Sequence, residues 1–594
     1  MKPQFASFST FWPVVYYGDG AISAVIWWSR LHDINIGWKS NATILNELMK
    51  KIFSVFRTIC RFNAGQRTLL GLTKSLDDGR ADVISVNVET GSKSIIQVKD
   101  IGAKKVQSKY SGVLPQKAII GLWNALASCS RNPKILQSEA DQLREKLNQR
   151  KFPASPKEIH DVRYEIKKQL EAEDGFPDRN SISQKVLQAF DLEVKKKVNK
   201  LLRNTRYNWK PLNFKTREHA AVYTLARIAP NYAEVHFVLQ EFKKIGYIPE
   251  TVLDYGSGSG AAFWAAFEQW GERVKSYQLI DSNEKISQFC MDILRGSGEN
   301  NGHPFVHPNI SFRKFLAPSL NNTFDVIIVH RLLAELSSEE SRTELLIDLW
   351  KRTNKYLVLI DGSCKSGYNA LMEARDYILM AGCELHREKT RQVLMEAEVL
   401  NEGAECILSD QQLSNYMRYN LIKNMLPPNT TLPTRLEPGY VFAPCPHDQG
   451  CPKNIEKAKD VCSFLTQWNV LRADERKQTF STEIGSFSYV IMSKGTRPHQ
   501  LSESRLLMLK HGGGHACCTV CMPFCGIQRF TISRSMGKIY KLVKNAKAGR
   551  VLPVEVKTVG SDSEFDVYEE AVNEYREEKG KKYDKNVMEK KILQ

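Results

Sequence analysis

Cysteine is the first residue type in this chain whose spacing could do chemistry. Of thirteen cysteines, seven fall between Cys445 and Cys525, whereas Cys60, Cys129, Cys290, Cys364, Cys383 and Cys406 are scattered singly, as small buried hydrophobes are. The run APCPHDQGCPKNIEKAKDVCSF places Cys445, Cys451 and Cys462 within eighteen residues. A fourth thiolate must come from afar, and GHACCTVCMPFCG offers Cys517, Cys518, Cys521 and Cys525 in an expected strand and turn. Four thiolates can close a tetrahedral zinc site or hold the corners of a [4Fe-4S] cluster. The first half lacks the paired Cys-x-x-Cys knuckles of a zinc ribbon, while Cys445-Pro446 and Cys451-Pro452 are the cysteine-proline pairs common at iron-sulfur centres. His447 is either a substitute ligand or, more simply, a bond to its own loop. No secretory signal is evident, so clustering points to metal rather than to disulfides.

The second group is built on glycine. Thr251 to Asp254 reads as a short apolar strand ending in an acid, and Tyr255-Gly256-Ser257-Gly258-Ser259-Gly260 leads into the helical AAFWAAFEQW. Gly256 and Gly258 can take positive φ and let a ligand approach bare backbone, and Gly260 lets the helix pack closely on the strand. Such an Asp-x-Gly-x-Gly-x-Gly turn resembles that of methyltransferases, where it wraps the amino acid part of S-adenosylmethionine and the strand-end acid, here Asp254, grips it. The next strand, Ser276 to Ile280, ends at Asp281, placed to accept from both ribose hydroxyls. After the strand Phe324 to Val329 the chain reads His330-Arg331-Leu332-Leu333-Ala334-Glu335 rather than the Asn/Asp-Pro-Pro-aromatic turn that holds an exocyclic amine. No catalytic residue is assigned, His330 included.

These residues need elements to hold them. Strands at 251–254, 276–280, 324–329 and 356–360 alternate with helical runs, which predicts a doubly wound Rossmann-like α/β sheet with its ligand crevice at the strand carboxyl ends. The expected organisation is an uncertain amino terminus over 1–76, a mainly helical basic domain over 77–247 and the Rossmann-like domain over 248–385. An insertion or linker over 386–442, a cysteine-rich, β-rich metal module over 443–556 and a charged tail over 557–594 complete it. From Met49 to Leu76 six basic residues and no acid accompany Ile52, Phe56, Ile59 and Phe62 on one helical face, the pattern of a mitochondrial transit segment. No run is long and apolar enough to be read as a membrane span.

Hydrophobic residues at 42% and charged residues at 25% exclude a mainly disordered or collagenous chain. The formal net charge of +18 favours a polyanionic partner. Between Val194 and Arg217 there is no acid. Val194, Val198, Leu201 and Leu202 recur at helical spacing, Lys195, Lys196, Lys197, Lys200, Arg203 and Arg206 take the other faces, and Tyr207, Trp209 and Phe214 are interleaved. Basic charge with stacking groups suits RNA.

Taken together, EHAAVYTLARIAPNYAEV, LDYGSGSGAAFWAA, APCPHDQGCP with CSF, and GHACCTVC resemble the Rsm22-type, methyltransferase-like protein 17 family of mitochondrial small-subunit assembly factors, over about residues 114–555. The resemblance implies a [4Fe-4S] cluster, a mitochondrial matrix location and binding to the immature small ribosomal subunit, its rRNA and proteins. Carried over by position, it implies Cys445, Cys451, Cys462 and Cys521 as cluster ligands, the last by counting Gly-His-x-x-x-x-Leu-Cys from Gly514-His515, with Val520 in place of leucine. About sixty residues between Gly382 and Ala443 exceed the family's shorter connection, and Lys547-Ala548-Gly549-Arg550 replaces its Trp-Gly-Asp. The reading is a non-catalytic assembly factor. Its alternatives are an active S-adenosylmethionine-dependent rRNA methyltransferase and a zinc-stabilised RNA-binding module.

Overall fold

A computed structural model describes residues 80–100, 112–149, 156–173, 184–206, 212–296 and, with short breaks, 302–558. The transit-like segment from Met49, Tyr207, Trp209, Cys525 and the charged tail lie outside the described residues, apart from the tail's first two positions.

The described chain begins with an antiparallel hairpin, β1 (Arg80–Asn87) and β2 (Lys93–Asp100). Next come helices α1 (Gln116–Ala127), α2 (Pro133–Asn148), α3 (Pro156–Glu173), α4 (Gln184–Arg206) and α5 (Arg217–Lys244). Strand and helix then alternate: β3 (Thr251–Tyr255), α6 (Ala261–Trp270), β4 (Ser276–Ile280), α7 (Glu284–Leu294), β5 (Ile310–Arg313), β6 (Phe324–His330), α8 (Glu339–Arg352), β7 (Thr353–Gly362) and α9 (Lys365–Ala381). Helices α10 (Arg387–Glu396), α11 (Glu402–Ser409) and α12 (Asn415–Met425) precede β8 (Gly439–Ala443), β9 (Phe464–Asn469) and β10 (Thr482–Lys494). The last elements are β11 (Arg505–Gly512), β12 (His515–Met522), β13 (Gly526–Ser533), α13 (Gly537–Lys544) and β14 (Val554–Thr558). None of the described helices is long and apolar enough to cross a membrane.

The expected doubly wound sheet is present, in the order β5-β4-β3-β6-β7-β10-β8, with β9 also pairing β10. Strands β3 to β7 are parallel and β10 runs against β7. Central strands are apolar on both faces because helices cover both. Val326 and Ile328 of β6 face the core under α1, α5, α6 and α7, while Ile327 and Val329 face the one under α8 and α9. Chain order reverses between β3 and β6, so the crevice opens between their carboxyl ends, the turn after Asp254 and the turn after His330.

The sheet does not end where the sequence placed the domain boundary at 385. Its last two strands, β8 and β10, come from the range expected to be a separate cysteine module, because β10 offers a buried run, Phe487 to Ser493, that completes the edge of β7. The segment carrying Cys445, Cys451 and Cys462 is therefore part of the connection between those two strands. A second sheet, antiparallel throughout, has the order β11-β12-β13-β1-β2-β14, so the amino-terminal hairpin pairs with carboxyl-terminal strands instead of standing with the helical region. Residues 386–442 are not a bare linker: α10, α11 and α12 enclose a small core of Leu394, Leu408, Tyr419 and Ile422.

Candidate functional site

The glycine turn is shaped by its backbone. Gly256, Gly258 and Gly260 hold φ of +76°, +50° and +77°, a region that costs other residues steric strain. A Cβ on Gly260 would stand 2.7 Å from Cys290 Sγ and 3.1 Å from Leu294 Cδ1. That glycine thus lets α6 pack on α7, not on the strand as its sequence position indicated. The amides of Gly256 and Ser257 both donate to the Ile280 carbonyl, at 2.8 and 3.0 Å, which ties the turn to β4.

Two carboxylates flank this turn. Asp281 accepts from the Gly258 amide at 2.9 Å and from the Asn283 amide at 2.9 Å, holding loop and acid in register. Asp254 is 3% exposed, and its Oδ2 has no hydrogen-bond partner. Burial, with Asp281 adding like charge, pushes the Asp254 carboxyl up to about 7. A buried polar atom left without a partner is costly unless a ligand supplies one. An amine or a hydrogen-bonded bridge would satisfy Oδ2, so the residues present fit the amino acid end of S-adenosylmethionine, with Asp281 toward the ribose.

The opposite wall was not foreseen. Helix α5 is mostly buried, yet it carries Tyr223, Arg227, Asn231 and Glu234, spaced four, four and three residues apart on one face. That polar stripe in an apolar helix was the sequence signal. Glu234, 2% exposed, accepts from Arg331 Nε and from His330 Nε2, each at 2.9 Å, and from Arg331 Nη2. The Arg331 guanidinium holds the Glu234 carboxyl down at about 2. Arg331 itself sits at φ +52°, a strained conformation for a long side chain, which this forked ion pair maintains. Leu332 lies against the Gly256 position at 3.3 Å. His330 is thus bonded to Glu234 on the same wall.

The cysteines lie elsewhere, at the seam of the two sheets. Cys445, Cys451 and Cys462, from the β8–β10 connection, line one small, partly open cavity together with Cys521 of β12, Pro444 and Pro452. Strand alternation explains the choice on β12: Ala516, Cys518 and Val520 face the second core, whereas Cys521 turns the other way, beside Arg505 across the β11 pairing. Cys517 shares its side but lies four residues back and does not line the cavity. Tyr368 Oη is 2.9 Å from Cys451 Sγ, and His447 Nε2 is 3.3 Å from Cys521 Sγ. The other ring nitrogen of His447 lies 3.2 Å from the Gln449 carbonyl, and burial together with Arg375 pushes the imidazole down to about 4, so it is neutral.

Three arginines brace this loop, one of them, Arg505, also lining the cavity. Arg375 donates to the carbonyls of His447 and Gln449, Arg497 to that of Val441 and to Asp448, and Arg505 to that of Pro444 at 2.9 Å. Arg505 also meets Glu241 of α5 at 2.9 Å, joining helix, loop and second sheet. Burial and mutual repulsion push the Cys445 thiol up to about 11 and raise Cys462 and Cys521 as well. Among the described residues no three His, Cys, Asp or Glu side chains are gathered to hold a single metal ion. A zinc site needs each sulfur about 2.3 Å from one point, whereas a cluster spreads its thiolates over separate irons. Four thiols surround one cavity, with cationic guanidinia nearby.

Comparison with known proteins adds what geometry alone does not. The family model described as Mitochondrial small ribosomal subunit Rsm22 matches residues 217–393 and 413–553. The chain belongs to the Rsm22 family. Human Ribosome assembly protein METTL17, mitochondrial, is 28% identical over 426 residues, covering 70% of this chain and 78% of that protein. Rsm22-cox11 tandem protein 2, mitochondrial, of Schizosaccharomyces pombe is 22% identical over 370 residues, 55% of this chain but 42% of that protein. Among solved structures, the magnesium protoporphyrin IX methyltransferase of Synechocystis is 14% identical over 28% of this chain and 75% of its own, with a TM-score of 0.20, too low to carry an argument about chemistry. The Rsm22 match takes in both the crevice and the cysteine cavity. It begins after α4 and breaks over the range that holds α11.

Helix α4, upstream of that match, carries the basic run. Val194 and Val198 are buried with Phe190 against Ile166 and Leu170 of α3, while Lys195, Lys196, Lys197 and Lys200 are exposed. Two expectations for the run change. Leu201 is exposed rather than on the buried face, and Arg217 and Phe214 are committed internally: Arg217 to Asp292 and the Ala125 carbonyl, Phe214 to the Tyr223 ring at 5.1 Å.

Proposed function

We propose that this chain is a mitochondrial assembly factor for the small ribosomal subunit that works as a scaffold for rRNA and not as an enzyme. Membership of the Rsm22 family supports the setting, and one observation carries the non-catalytic reading: the acceptor wall of the crevice is filled by Glu234 with Arg331 and His330. S-adenosylmethionine supplies an electrophilic methyl group when bound. Among the described residues Glu234 of this wall is bonded to both His330 and Arg331, and we read His330 and Glu234 as structural. Asp254, Gly256, Gly258, Gly260 and Asp281 hold that ligand as a structural element. Cys445, Cys451, Cys462 and Cys521 hold a [4Fe-4S] cluster that fixes the seam between the two sheets, and the exposed lysines of α4 meet rRNA phosphates. The matrix is where such a partner resides.

The test is rescue of cells lacking the protein, with assembled small subunits scored on gradients and methyl transfer to subunit RNA followed from labelled cofactor. Cys445→Ser should fail to rescue, whereas Asp254→Ala should rescue largely and label no RNA. If Asp254→Ala fails as completely as Cys445→Ser with iron content and folding intact, the scaffold reading falls and a methyltransferase takes its place.

A further inference from the structure

We propose that Arg227, assisted by the Tyr223 hydroxyl, is the receptor for the α-carboxylate of an S-adenosyl ligand lying on the glycine turn. The proposal rests on reading that turn as an S-adenosylmethionine site and names its missing anion receptor.

The two ends of the polar stripe on α5 are fixed by their neighbours. Tyr223 Cε1 stands 3.8 Å from the Cβ position of Gly258, and Glu234 is bonded to Arg331 and His330. Arg227 lies between them on the same face, one turn beyond Tyr223. It makes no hydrogen bond and no ion pair among the described residues, and the Tyr223 hydroxyl has no partner either. The carboxylate beside Arg227, Glu234, is already committed to Arg331. Arg227 is half-buried, and its proton is held less tightly than usual because of burial first and Arg331 second. An unpaired guanidinium in such a place is costly and is offset when an anion arrives.

The turn tells which anion. Asp281, bonded to the Gly258 amide, marks the ribose end, and the orphan Oδ2 of Asp254 marks a cationic or donor group. Tyr223 comes up to Gly258, and Arg227 follows it one turn along the same helix. A zwitterionic amino acid end laid along the turn presents its amine to Asp254 and its carboxylate to Arg227, whose fork matches two carboxylate oxygens. The position is half-buried inside the crevice, which suits the end of a small ligand better than an RNA backbone.

Calorimetry on the full chain tests this with three probes: S-adenosylmethionine, its decarboxylated analogue, and 5′-methylthioadenosine, which lacks the amino acid end. Wild type should bind S-adenosylmethionine at least about 10-fold more tightly than the decarboxylated analogue. Arg227→Met should weaken S-adenosylmethionine by about 10- to 100-fold and methylthioadenosine by less than about threefold, erasing the discrimination. Arg227→Lys should restore part of it, and Tyr223→Phe should reduce it by about threefold. The ligand-free melting temperature of Arg227→Met should not fall, since an unpaired charge is removed. Equal weakening of all three probes, or no preference for the carboxylate in wild type, overturns the assignment while leaving the turn as a nucleoside site. Failure of folded wild type to bind any of the three overturns the reading of the turn, and the assignment with it.

Discussion

The crevice and the cysteine cavity solve the problem of burying polar groups in opposite ways. In the crevice Glu234, Arg331 and His330 satisfy one another before any ligand arrives. At the cavity three arginines hold the loop backbone, but four thiols line one space, and burial with neighbouring thiols raises the proton affinity of Cys445, Cys462 and Cys521. That wall of the crevice is complete as folded protein, although Asp254 across the turn keeps an unpartnered oxygen. On the proposed reading the cavity would be completed by a cluster, whose binding free energy would then be folding free energy.

The largest break in that contrast should come from the cysteines. Cys445→Ser, Cys451→Ser, Cys462→Ser or Cys521→Ser, each alone, should bleach the visible absorbance of anaerobically purified protein, empty it of iron and lower its melting temperature more than any change in the crevice. Cys517→Ser should leave iron and stability unchanged. Cys518→Ser should keep iron but cost about 1–2 kcal/mol, because a hydroxyl then replaces a thiol in the second core. Full iron in Cys521→Ser beside depleted iron in Cys517→Ser would overturn the ligand set.

A smaller effect separates two carboxylates within the crevice. Glu234 is held at about 2, below its ordinary 4.5, by Arg331, so its contribution is present above pH 4.5 and is lost as pH falls toward 2. Asp254 is raised to about 7 from 3.8, so the ligand-free fold is most favoured below pH 3.8 and loses stability as pH rises to 7. Urea melts should therefore find Glu234→Gln destabilised by about 2–4 kcal/mol at pH 7, with the gap closing toward pH 2. Asp254→Asn should match wild type near pH 4 and exceed it by about 1–4 kcal/mol at pH 8. Parallel pH profiles for the two variants would refute the contrast between paired and orphaned acid.

The smallest effect on stability, and a selective one on binding, is expected at α4. Replacing Lys195, Lys196, Lys197 and Lys200 with glutamine should leave the melting temperature and iron content unchanged while weakening single-stranded RNA. For each phosphate no longer neutralised, the slope of log affinity against log salt should become shallower by about 0.7. An unchanged salt slope in filter binding places the RNA surface elsewhere.

The glycine turn was legible because its chemistry is local: strand, glycines with positive φ and a spaced acid all lie within one βαβ unit. Asp254, Asp281 and the three glycines stand where their spacing put them. The opposing wall was less legible, since Glu234 reaches Arg331 across 97 residues. The only local trace was polar residues at helical spacing in a buried helix. Phe214 and Arg217 misled for a related reason, because a basic, aromatic run reads as a surface until packing commits two of its members.

Sequence by itself determined the alternation that makes a doubly wound sheet, the turn that opens its crevice and the thiol types suited to a metal. It could do so because hydrophobic period, glycine conformation and side-chain chemistry act over a few residues. While the gathering of Cys521 with Cys445, Cys451 and Cys462 around one cavity agrees with what the family resemblance implied, only the tertiary structure decided that β8 and β10 close the first sheet and that the amino-terminal hairpin completes the second. Those are choices of strand partner. Backbone hydrogen bonding is nearly indifferent to sequence, so partner choice rests on which apolar faces the whole chain can bury at once.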